Sequence, residues 1–308
     1  MGAGVLGWSL LEARRYTLRH VPVPVLSPGA RPVRILHLSD LHLVPRQADK
    51  RAWLRDLATT GPDVVVDTGD NMAHREALPA VLDALEPLLA LPGAFVMGSN
   101  DYFAPKIKNP LRYFLDDPRG FGDEGPSGDR LPGKELGAAF RAAGWRDLTN
   151  RRDTIDVGGT RLDLVGVDDP HLERDVLPPP VTAPADGGAA PGSSVRIGVA
   201  HAPYQRVLRG MQDDGAQLVL AGHTHGGQLC VPGYGALVTN CDLDTRRASG
   251  LHGWPGARPD EPGGEGSLWL HVSAGLGTSP YTPVRLACRP EATLVDLVPR
   301  DSRRPSAW

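Results

Sequence analysis

The sequence predicts an α/β fold built on a parallel β-sheet, and this prediction depends on two observations. Over residues 33–97, apolar stretches of strand length alternate with stretches of helical periodicity. A short polar run follows each apolar stretch. Alternating strands and helices favour parallel strands joined by right-handed crossovers. Because ligands bind at the carboxyl ends of the strands in such sheets, we expect the polar runs to meet in one functional site.

The first half of the chain contains the clearest elements. Strands are predicted at residues 33–38, 63–66 and 94–97, and helices at residues 50–60 and 78–91. The predicted strands are continuous apolar runs, which is typical of strands buried on both faces. The polar runs that follow them are residues 39–40, 67–70 and 98–101.

The second half is less regular, and we predict a second sheet there. Gly158-Gly159 marks a hairpin over residues 154–167. Further strands of this sheet are expected at residues 195–200, 218–221, 269–272 and 292–297. A helix is expected at residues 133–143, and loops rich in Gly, Pro or Asp at residues 106–130, 178–194 and 258–266.

We predict a single folded domain over residues 33–298, because the motifs on either side of the loops need each other. Residues 1–32 are then an N-terminal extension and residues 299–308 a C-terminal tail. Residues 2–11 are apolar but too short to span a bilayer, and arginines follow them at positions 14, 15 and 19. This segment either packs on the domain or rests on an anionic membrane surface. The expected location is cytoplasmic, with contact to the inner membrane face.

The composition argues against several functional classes. The 308 residues are 41 % hydrophobic and 22 % charged, as in soluble globular proteins. The net charge of −3 does not favour a nucleic-acid-binding protein, which usually carries a basic surface. The three cysteines, Cys230, Cys241 and Cys288, include no C-x-x-C pair, and their odd number argues against a disulfide framework.

Metal-ligand residue types follow five of the predicted strands. His223-Thr224-His225, flanked by glycines, is the most specific motif because glycines leave the imidazoles accessible on a tight turn. Carboxylate, amide and imidazole ligands without thiolate suit manganese, iron or zinc. Two such cations could hold a bridging hydroxide for attack on phosphorus. The candidate ligands are Asp40, His42, Asp70, Asn100, His201, His223 and His225.

This pattern resembles the calcineurin-like metallophosphoesterase superfamily over residues 33–298. Gly222-His223-Thr224-His225-Gly226-Gly227-Gln228 is most similar to the bacterial membrane-associated branch, which contains the UDP-2,3-diacylglucosamine pyrophosphatases and their relatives. The resemblance implies a four-layer α-β-β-α sandwich and a dinuclear site. It implies one metal ion on Asp40, His42 and His225, another on Asn100, His201 and His223, and Asp70 as the bridge.

One motif departs from the family. Gly-Asn-His-Asp or Gly-Asn-His-Glu is usual there, and this chain has Gly98-Ser99-Asn100-Asp101. Two alignments are open. The preferred one puts Asn100 at the asparagine ligand and Asp101 at the histidine, and the other puts Ser99 and Asn100 at those positions. Either way the family's general-acid histidine is missing, and its role is open to Asp101, His74 or His171.

Two further expectations concern the substrate and the activity. Arg75, Lys106 and Arg112 are candidate phosphate-binding residues. The expected substrate is a small or lipid-linked phosphoester, and no nucleic-acid or protein partner is indicated. The favoured activity is that of a phosphodiesterase or pyrophosphatase. The alternatives are a metal-binding scaffold with weak or no turnover, which the missing histidine supports, and a nuclease, for which the sequence shows no basic groove.

Overall fold

The computed structural model describes residues 2–105, 129–180 and 193–300 of the chain. The helices are α1 (Gly2–Glu12), α2 (Ala48–Asp56), α3 (Leu78–Leu89), α4 (Ser99–Tyr102), α5 (Gly133–Ala142) and α6 (Gln205–Asp213). The strands are β1 (Thr17–Leu26), β2 (Val33–Leu38), β3 (Val64–Asp67), β4 (Gly93–Phe95), β5 (Arg146–Asp147), β6 (Arg151–Val157), β7 (Thr160–Gly166), β8 (Ser193–Val199), β9 (Leu218–Ala221), β10 (Gly250–Trp254), β11 (Leu268–Val272) and β12 (Glu291–Pro299). Short 3-10 turns include Pro170–Leu172 and His225–Gly227.

The strands form two mixed sheets of six strands each. The first has the order β1-β12-β2-β3-β4-β5 and the second β10-β11-β9-β8-β7-β6. Strands β2 to β5 are parallel to one another, as are β7, β8, β9 and β11. The antiparallel partners β12, β6 and β10 make both sheets mixed rather than purely parallel.

Three clusters of buried apolar residues lie between the successive layers of a four-layer sandwich. One cluster joins α2, α3 and α5 to the first sheet, through residues such as Leu54, Leu85 and Phe140. A second lies between the sheets and includes Val66 and Ile197. A third joins α6 to the outer face of the second sheet. The predicted α/β fold and its α-β-β-α layering are confirmed.

One predicted strand belongs to the other sheet. Residues 292–297 were expected in the second sheet, but β12 pairs antiparallel with β2 and parallel with β1 in the first. Every residue from Glu291 to Val295 is buried. An apolar run of this kind identifies a buried strand, but it carries no information about which sheet the strand joins.

The segment predicted as an N-terminal extension contributes to the first sheet. Within residues 1–32, β1 forms an edge strand that pairs with β12 over nine residue pairs. Pro22 and Pro24 obscure it in the sequence, and an edge strand tolerates proline because one side of its backbone is unpaired. Helix α1 precedes it, and none of the described helices has the length and apolar composition needed to cross a bilayer.

The predicted loops have different outcomes. Residues 258–266 form turns without helix or strand, as expected. Of the predicted loops at 106–130 and 178–194, residues 106–128 and 181–192 lie outside the described residues, and residues 193 and 194 begin β8 rather than ending a loop. Strand β10 and helix α6 were not predicted. The sequence of α6 is largely polar, and only its inner side, with Val207, Leu208 and Met211, is buried.

Two buried histidines pair between the sheets, away from the outer helices. His37 on β2 and His271 on β11 lie with their Nδ1 atoms 2.9 Å apart, and His37 Nε2 lies 3.1 Å from Thr68 Oγ1. Burial lowers the pKa of His37 to about 3, against a smaller opposing effect of Asp40. Burial also holds the pKa of His271 well below its ordinary value. Both imidazoles are therefore neutral in the folded protein at neutral pH.

This pair predicts acid-sensitive stability. Below the unfolded-state histidine pKa of about 6.5, the two histidines bind protons in the unfolded chain but stay neutral in the folded protein. The free energy of unfolding therefore falls as the pH drops from about 6.5 towards 3. We expect the unfolding free energy of a His37→Asn/His271→Asn variant to fall less steeply, by about 1.4 kcal/mol per pH unit for each histidine removed. Urea unfolding at a series of pH values measures this slope.

A variant that replaces two exposed histidines, His20→Asn/His74→Asn, is the matched control and should keep the wild-type slope. Equal slopes for all three proteins would contradict the neutral buried pair.

Candidate metal centre

The carboxyl ends of the central strands of both sheets meet at one edge of the sandwich. Asp40 and Asp70 follow β2 and β3 of the first sheet. His201 follows β8, and His223 and His225 follow β9 of the second. Asp40, Asp70 and His201 are almost completely buried. The sequence therefore brings acidic and imidazole side chains together at the positions where parallel strands end.

Asp40, His42 and His225 form the first group of candidate ligands. His42 Nε2 and His225 Nε2 lie 3.2 Å apart, and their rings are stacked. Asp40 Oδ1 lies 3.6 Å from His225 Nε2 and 3.9 Å from His42 Nε2. One ligand atom from each residue falls within 4.8 Å of the others. This is the set that the family resemblance implied for one of the two cations.

Asp40, Asp70 and His201 form the second group, with ligand atoms again within 4.8 Å of one another. His201 Nε2 lies 3.5 Å from Asp70 Oδ1, and His42 Nε2 lies 3.4 Å from Asp70 Oδ2. The two oxygens of Asp70 therefore face different groups of ligands. That position between the groups is the one expected of a bridging carboxylate.

His223 and Asn100 lie beside this second group. The His223 ring centre is 5.2 Å from that of His201. The Asn100 backbone N–H donates to Asp70 Oδ1 at 2.7 Å, and its side-chain amide donates to the carbonyl of Phe103 at 2.9 Å. Asn100 thus contacts the central carboxylate through its backbone, and its role as a metal ligand remains a prediction.

Several buried polar atoms at the centre fit a cation. Asp40 Oδ1 and His201 Nε2 are buried, and neither has a hydrogen-bond partner among the described residues. The Nδ1 atoms of two candidate ligands donate hydrogen bonds to backbone carbonyls. His201 Nδ1 donates to the carbonyl of Thr68 at 2.8 Å, and His225 Nδ1 donates to that of Gly277 at 3.2 Å. Such bonds fix the tautomer that leaves Nε2 free as a ligand. The donor set suits divalent transition metals.

The electrostatics of the centre also favour a bound cation. Burial lowers the pKa of His225 to about 4, so this imidazole is neutral and able to bind metal at neutral pH. For His201, burial is outweighed by Asp70 and Asp169, which raise the pKa to about 9. Burial holds the pKa of Asp70 well above its usual range. A nearby cation favours the carboxylate and the neutral imidazole, so metal binding would be accompanied by proton release.

Backbone strain is concentrated at the predicted ligands. Non-glycine residues rarely adopt positive φ, and such strain clusters at functional sites because the surrounding structure must hold it in place. Five of the seven predicted ligands have positive φ: Asp40 (52°), His42 (41°), Asp70 (59°), His223 (70°) and His225 (50°).

Three glycines pack directly against the ligands, and only Gly222 belongs to a motif that the sequence analysis named. A Cβ on Gly222 would lie 1.8 Å from Ser39 Oγ and 2.5 Å from Asp40 Oδ2. A Cβ on Gly275 would lie 2.6 Å from Asp40 Cβ, and one on Gly277 would lie 2.6 Å from His42 Cβ. Gly275 and Gly277 follow β11, so a polar, glycine-containing run after that strand was the available sequence signal.

Arg285 was also missed. Its side chain is completely buried, and its Nη2 donates to the carbonyls of Ala274 (2.7 Å), Gly277 (2.8 Å) and Gly275 (3.1 Å). The same nitrogen lies 3.4 Å from His225 Nδ1. Within the described ranges no carboxylate pairs with it. Arg285 therefore fixes the loop after β11 and the back of the His225 ring.

The geometry does not support Asp101 as a proton donor. Its side chain is completely buried, and its two oxygens accept from the backbone N–H groups of Asp70 (2.9 Å), Asn71 (2.8 Å) and Gly98 (3.0 Å). Burial raises its pKa, and these bonds act in the opposite direction. A carboxylate held by three donors is stabilised as an acceptor. Asp101 thus holds the turn that carries Asp70.

The other two candidate acids lie in different surroundings. His171 lies against the predicted ligand His223, with ring centres 4.8 Å apart, and its Nδ1 is 3.0 Å from the Tyr204 hydroxyl. Asp169 caps this turn by accepting from the His171 backbone N–H at 2.9 Å. His74 is exposed, and its Nδ1 accepts from the backbone N–H of Glu76 at 3.1 Å. Of the three candidates, His171 is the one in ring contact with a predicted ligand.

Only one of the three predicted phosphate-binding residues lies in the described part of the chain. Arg75 is exposed on the segment after Asp70. Lys106 and Arg112 lie outside the described residues, and their role stays a prediction.

Known proteins match this chain over most of its length. The family model of the calcineurin-like phosphoesterases matches residues 33–227. Phosphodiesterase YaeI of Escherichia coli (strain K12) is 28 % identical over 88 % of this chain and 84 % of its own. An uncharacterized metallophosphoesterase of Aquifex aeolicus (strain VF5) is 27 % identical over 93 % and 92 %. A dimetal phosphatase structure from Danio rerio is 13 % identical, with a TM-score of 0.36 over 82 % of this chain and 88 % of that one.

The close packing at Gly222 predicts that a single methyl group impairs the centre. In Gly222→Ala, Ser39 and Asp40 must move, because the added carbon overlaps both side chains. Displacement of groups that orient metal ligands typically weakens metal affinity about 10–100-fold. Calorimetric titration with Mn²⁺ or Zn²⁺ measures the change. Gly7→Ala, whose new carbon meets nothing within 4 Å, is the control and should bind as the wild type does. Unchanged affinity in Gly222→Ala would exclude Asp40 as a ligand.

Proposed function

This chain belongs to the calcineurin-like phosphoesterase family, and we propose that it is a phosphodiesterase that uses two divalent cations. The observation that carries the proposal is the pair of overlapping ligand groups, Asp40/His42/His225 and Asp40/Asp70/His201. A relative named as a phosphodiesterase, at 28 % identity over most of both chains, supports diester over pyrophosphate substrates. Family membership makes the chain a metal-dependent hydrolase.

In the proposed site, Asp40, His42 and His225 would hold one cation. His201, His223 and Asn100 would hold the other, with Asp70 shared between them. Manganese, iron or zinc fits this imidazole-rich set. When bound, the cations would supply Lewis-acid activation of water and of the phosphoryl group. The protein itself fixes the imidazole tautomers through the carbonyls of Thr68 and Gly277 and orients Asp40 through Ser39, whose hydroxyl donates to Asp40 Oδ2 at 2.5 Å.

We assign proton delivery to His171 rather than to Asp101 or His74. The support is its ring contact with His223 and its bond to Tyr204. The hydroxyl of Tyr204 orients the ring, and the Asp169 cap holds the backbone turn that carries it, as a proton donor to a leaving oxygen requires. The Asp101 carboxylate already accepts from backbone N–H groups, and the exposed His74 ring accepts from the Glu76 backbone N–H.

Two finer expectations remain predictions within this proposal. One is the membrane-associated branch with its lipid-linked substrates, since the relatives matched here are named only as a phosphodiesterase or as uncharacterized. The other is the cytoplasmic location with contact to the inner membrane face.

Metal-dependent turnover of a generic diester tests the proposed activity. We expect metal-stripped protein to be inactive on bis(p-nitrophenyl) phosphate and to regain activity with Mn²⁺, Fe²⁺ or Zn²⁺. Asp70→Asn removes the bridging charge while keeping the shape of the side chain, and it should lower kcat/KM by about 100-fold or more. Asp49→Asn changes an exposed carboxylate in the same way and should leave turnover unchanged. Stoichiometric metal binding without turnover by any metal would contradict the proposal and favour a binding scaffold.

The role of His171 is tested by varying the leaving group. A general acid contributes about 10²–10⁴-fold, and most where the leaving oxygen is basic. His171→Asn should therefore lower kcat far more for a phenyl or alkyl diester than for a p-nitrophenyl diester. Tyr204→Phe should show a weaker effect in the same direction, and His74→Asn should show none. Equal losses for both leaving groups would assign His171 a structural role.

A further inference from the structure

The exposed apolar side chains of this protein are gathered on one part of its surface. Eleven large hydrophobic residues are exposed among the described residues, and ten of them lie on only three segments. Scattered single residues are normal on soluble proteins, but a contiguous patch marks an interaction site. The ten are Val5, Leu6, Trp8, Leu10, Leu11, Leu229, Val231, Tyr234, Leu237 and Tyr281. We call residues 2–15, 229–237 and 279–289 the apolar platform.

Helix α1 turns its apolar residues outward. Five of them are 43–62 % exposed, whereas polar Ser9 and Glu12 are the buried residues of the helix. The Glu12 carboxylate accepts from the backbone N–H groups of Ala287 and Cys288 at 3.1 and 3.0 Å, and from Trp8 Nε1 at 2.9 Å. The helix is thus held on the domain through polar contacts, and its apolar side is not covered by any other described part of the chain.

Hydrogen bonds join the three segments into one surface. The Arg285 backbone N–H donates to the carbonyl of Ser9 at 3.0 Å, which links α1 to residues 279–289. The Cys230 N–H donates to the carbonyl of Leu286 at 2.9 Å, and the Leu286 N–H to that of Gln228 at 3.0 Å, which links residues 229–237 to the same segment. The exposed residues therefore belong to a connected structure rather than to three independent loops.

The exposed charges of the platform are all basic. Arg14, Arg15 and Arg289 are exposed, and the Arg15 guanidinium lies 5.5 Å from the centre of the Trp8 ring. Arg246 and Arg289 line an adjoining cavity of about 870 Å³, together with Arg19 and its ion-pair partner, the buried Glu291. Glu12 is the sole acidic residue in these described segments, and it is buried. Apolar side chains rimmed by arginine are the combination that anionic lipid surfaces attract.

We propose that the apolar platform docks this protein on an anionic lipid bilayer. The exposed leucines and valines would enter the boundary between head groups and acyl chains, while the arginines contact lipid phosphates. Trp8, Tyr234 and Tyr281 are the aromatic types that favour this boundary. Because α1 is only 11 residues long and lies on the domain, the contact is peripheral.

The platform adjoins the metal centre through the chain itself. Residues 229–237 follow the 3-10 turn that begins at His225, and the Gly277 carbonyl that holds His225 lies just before residues 279–289. A bilayer bound at the platform would therefore lie beside the site, although docking itself requires no turnover.

Vesicle sedimentation tests the proposal with the full-length protein. We expect binding to phosphatidylcholine vesicles that contain phosphatidylglycerol, and much weaker binding to phosphatidylcholine alone or at high salt. Leu6→Glu and Leu10→Glu should each lower the partition coefficient about tenfold or more, because each places a charge where an apolar side chain is buried. Arg14→Ser/Arg15→Ser should weaken the preference for phosphatidylglycerol. Val176→Glu alters the eleventh exposed residue, which lies outside the platform, and should bind as the wild type does.

Turnover of the soluble diester and the urea midpoint are measured on every variant, so a failure of docking is distinguished from a failure of the fold or of the proposed activity. Sedimentation velocity without lipid shows whether the platform instead joins two copies of the chain. The proposal would be overturned if the protein self-associated, lost this association in Leu6→Glu and bound no vesicles. A monomer that binds neither kind of vesicle would overturn it as well. Equal losses in Leu6→Glu and Val176→Glu would overturn it too.

Discussion

The structure depends on the burial of a cluster of ionisable side chains at the junction of two sheets. Asp40, Asp70 and His201 are completely or almost completely buried, with ligand atoms within 4.8 Å of one another. Burying a charged carboxylate in such surroundings costs free energy unless a cation or hydrogen bonds compensate for the lost hydration. Backbone donors satisfy part of the cluster, since Asp40 Oδ2 accepts from His223 N–H and Asp70 Oδ1 from Asn100 N–H. Asp40 Oδ1 has no such partner among the described residues, and a cation at that point would complete the balance.

The surrounding fold holds this cluster in a conformation that its own residues disfavour. Positive φ at five predicted ligands is unfavourable for non-glycine residues, and positions of this kind persist where neighbouring structure dictates them. The glycines supply that structure, because Gly222, Gly275 and Gly277 allow neighbouring backbone to touch Asp40 and His42. Arg285 then ties the carbonyls after β11 together behind His225. The ligand geometry is therefore a property of the junction between the sheets rather than of any single motif.

The sequence predicted the features that are local and periodic. Buried strands appear as apolar runs, and the residues after them, such as Asp40 and His223, stand in short polar runs that mark where each strand ends. Pairing between distant strands has no local signature, which is why the strand at residues 292–297 was predicted in the other sheet and why β1, with its two prolines, was not recognised. Asp101 illustrates a third limit, since its residue type suits an acid, but its role follows from three backbone donors that only the folded turn provides.

One residue connects the apolar platform with the metal centre. The Arg285 backbone N–H donates to Ser9 of α1, while its guanidinium donates to Gly277, whose carbonyl also holds His225 Nδ1. The guanidinium is buried without a carboxylate partner in the described part of the chain, so its carbonyl acceptors must stay in position to offset its desolvation. The position of α1 and the orientation of a candidate ligand are thus fixed by the same residue, the first through its backbone and the second through its side chain. A surface that docks on lipid and a site that cleaves a phosphoester would then be parts of one rigid arrangement, with the spacing between them set by Arg285.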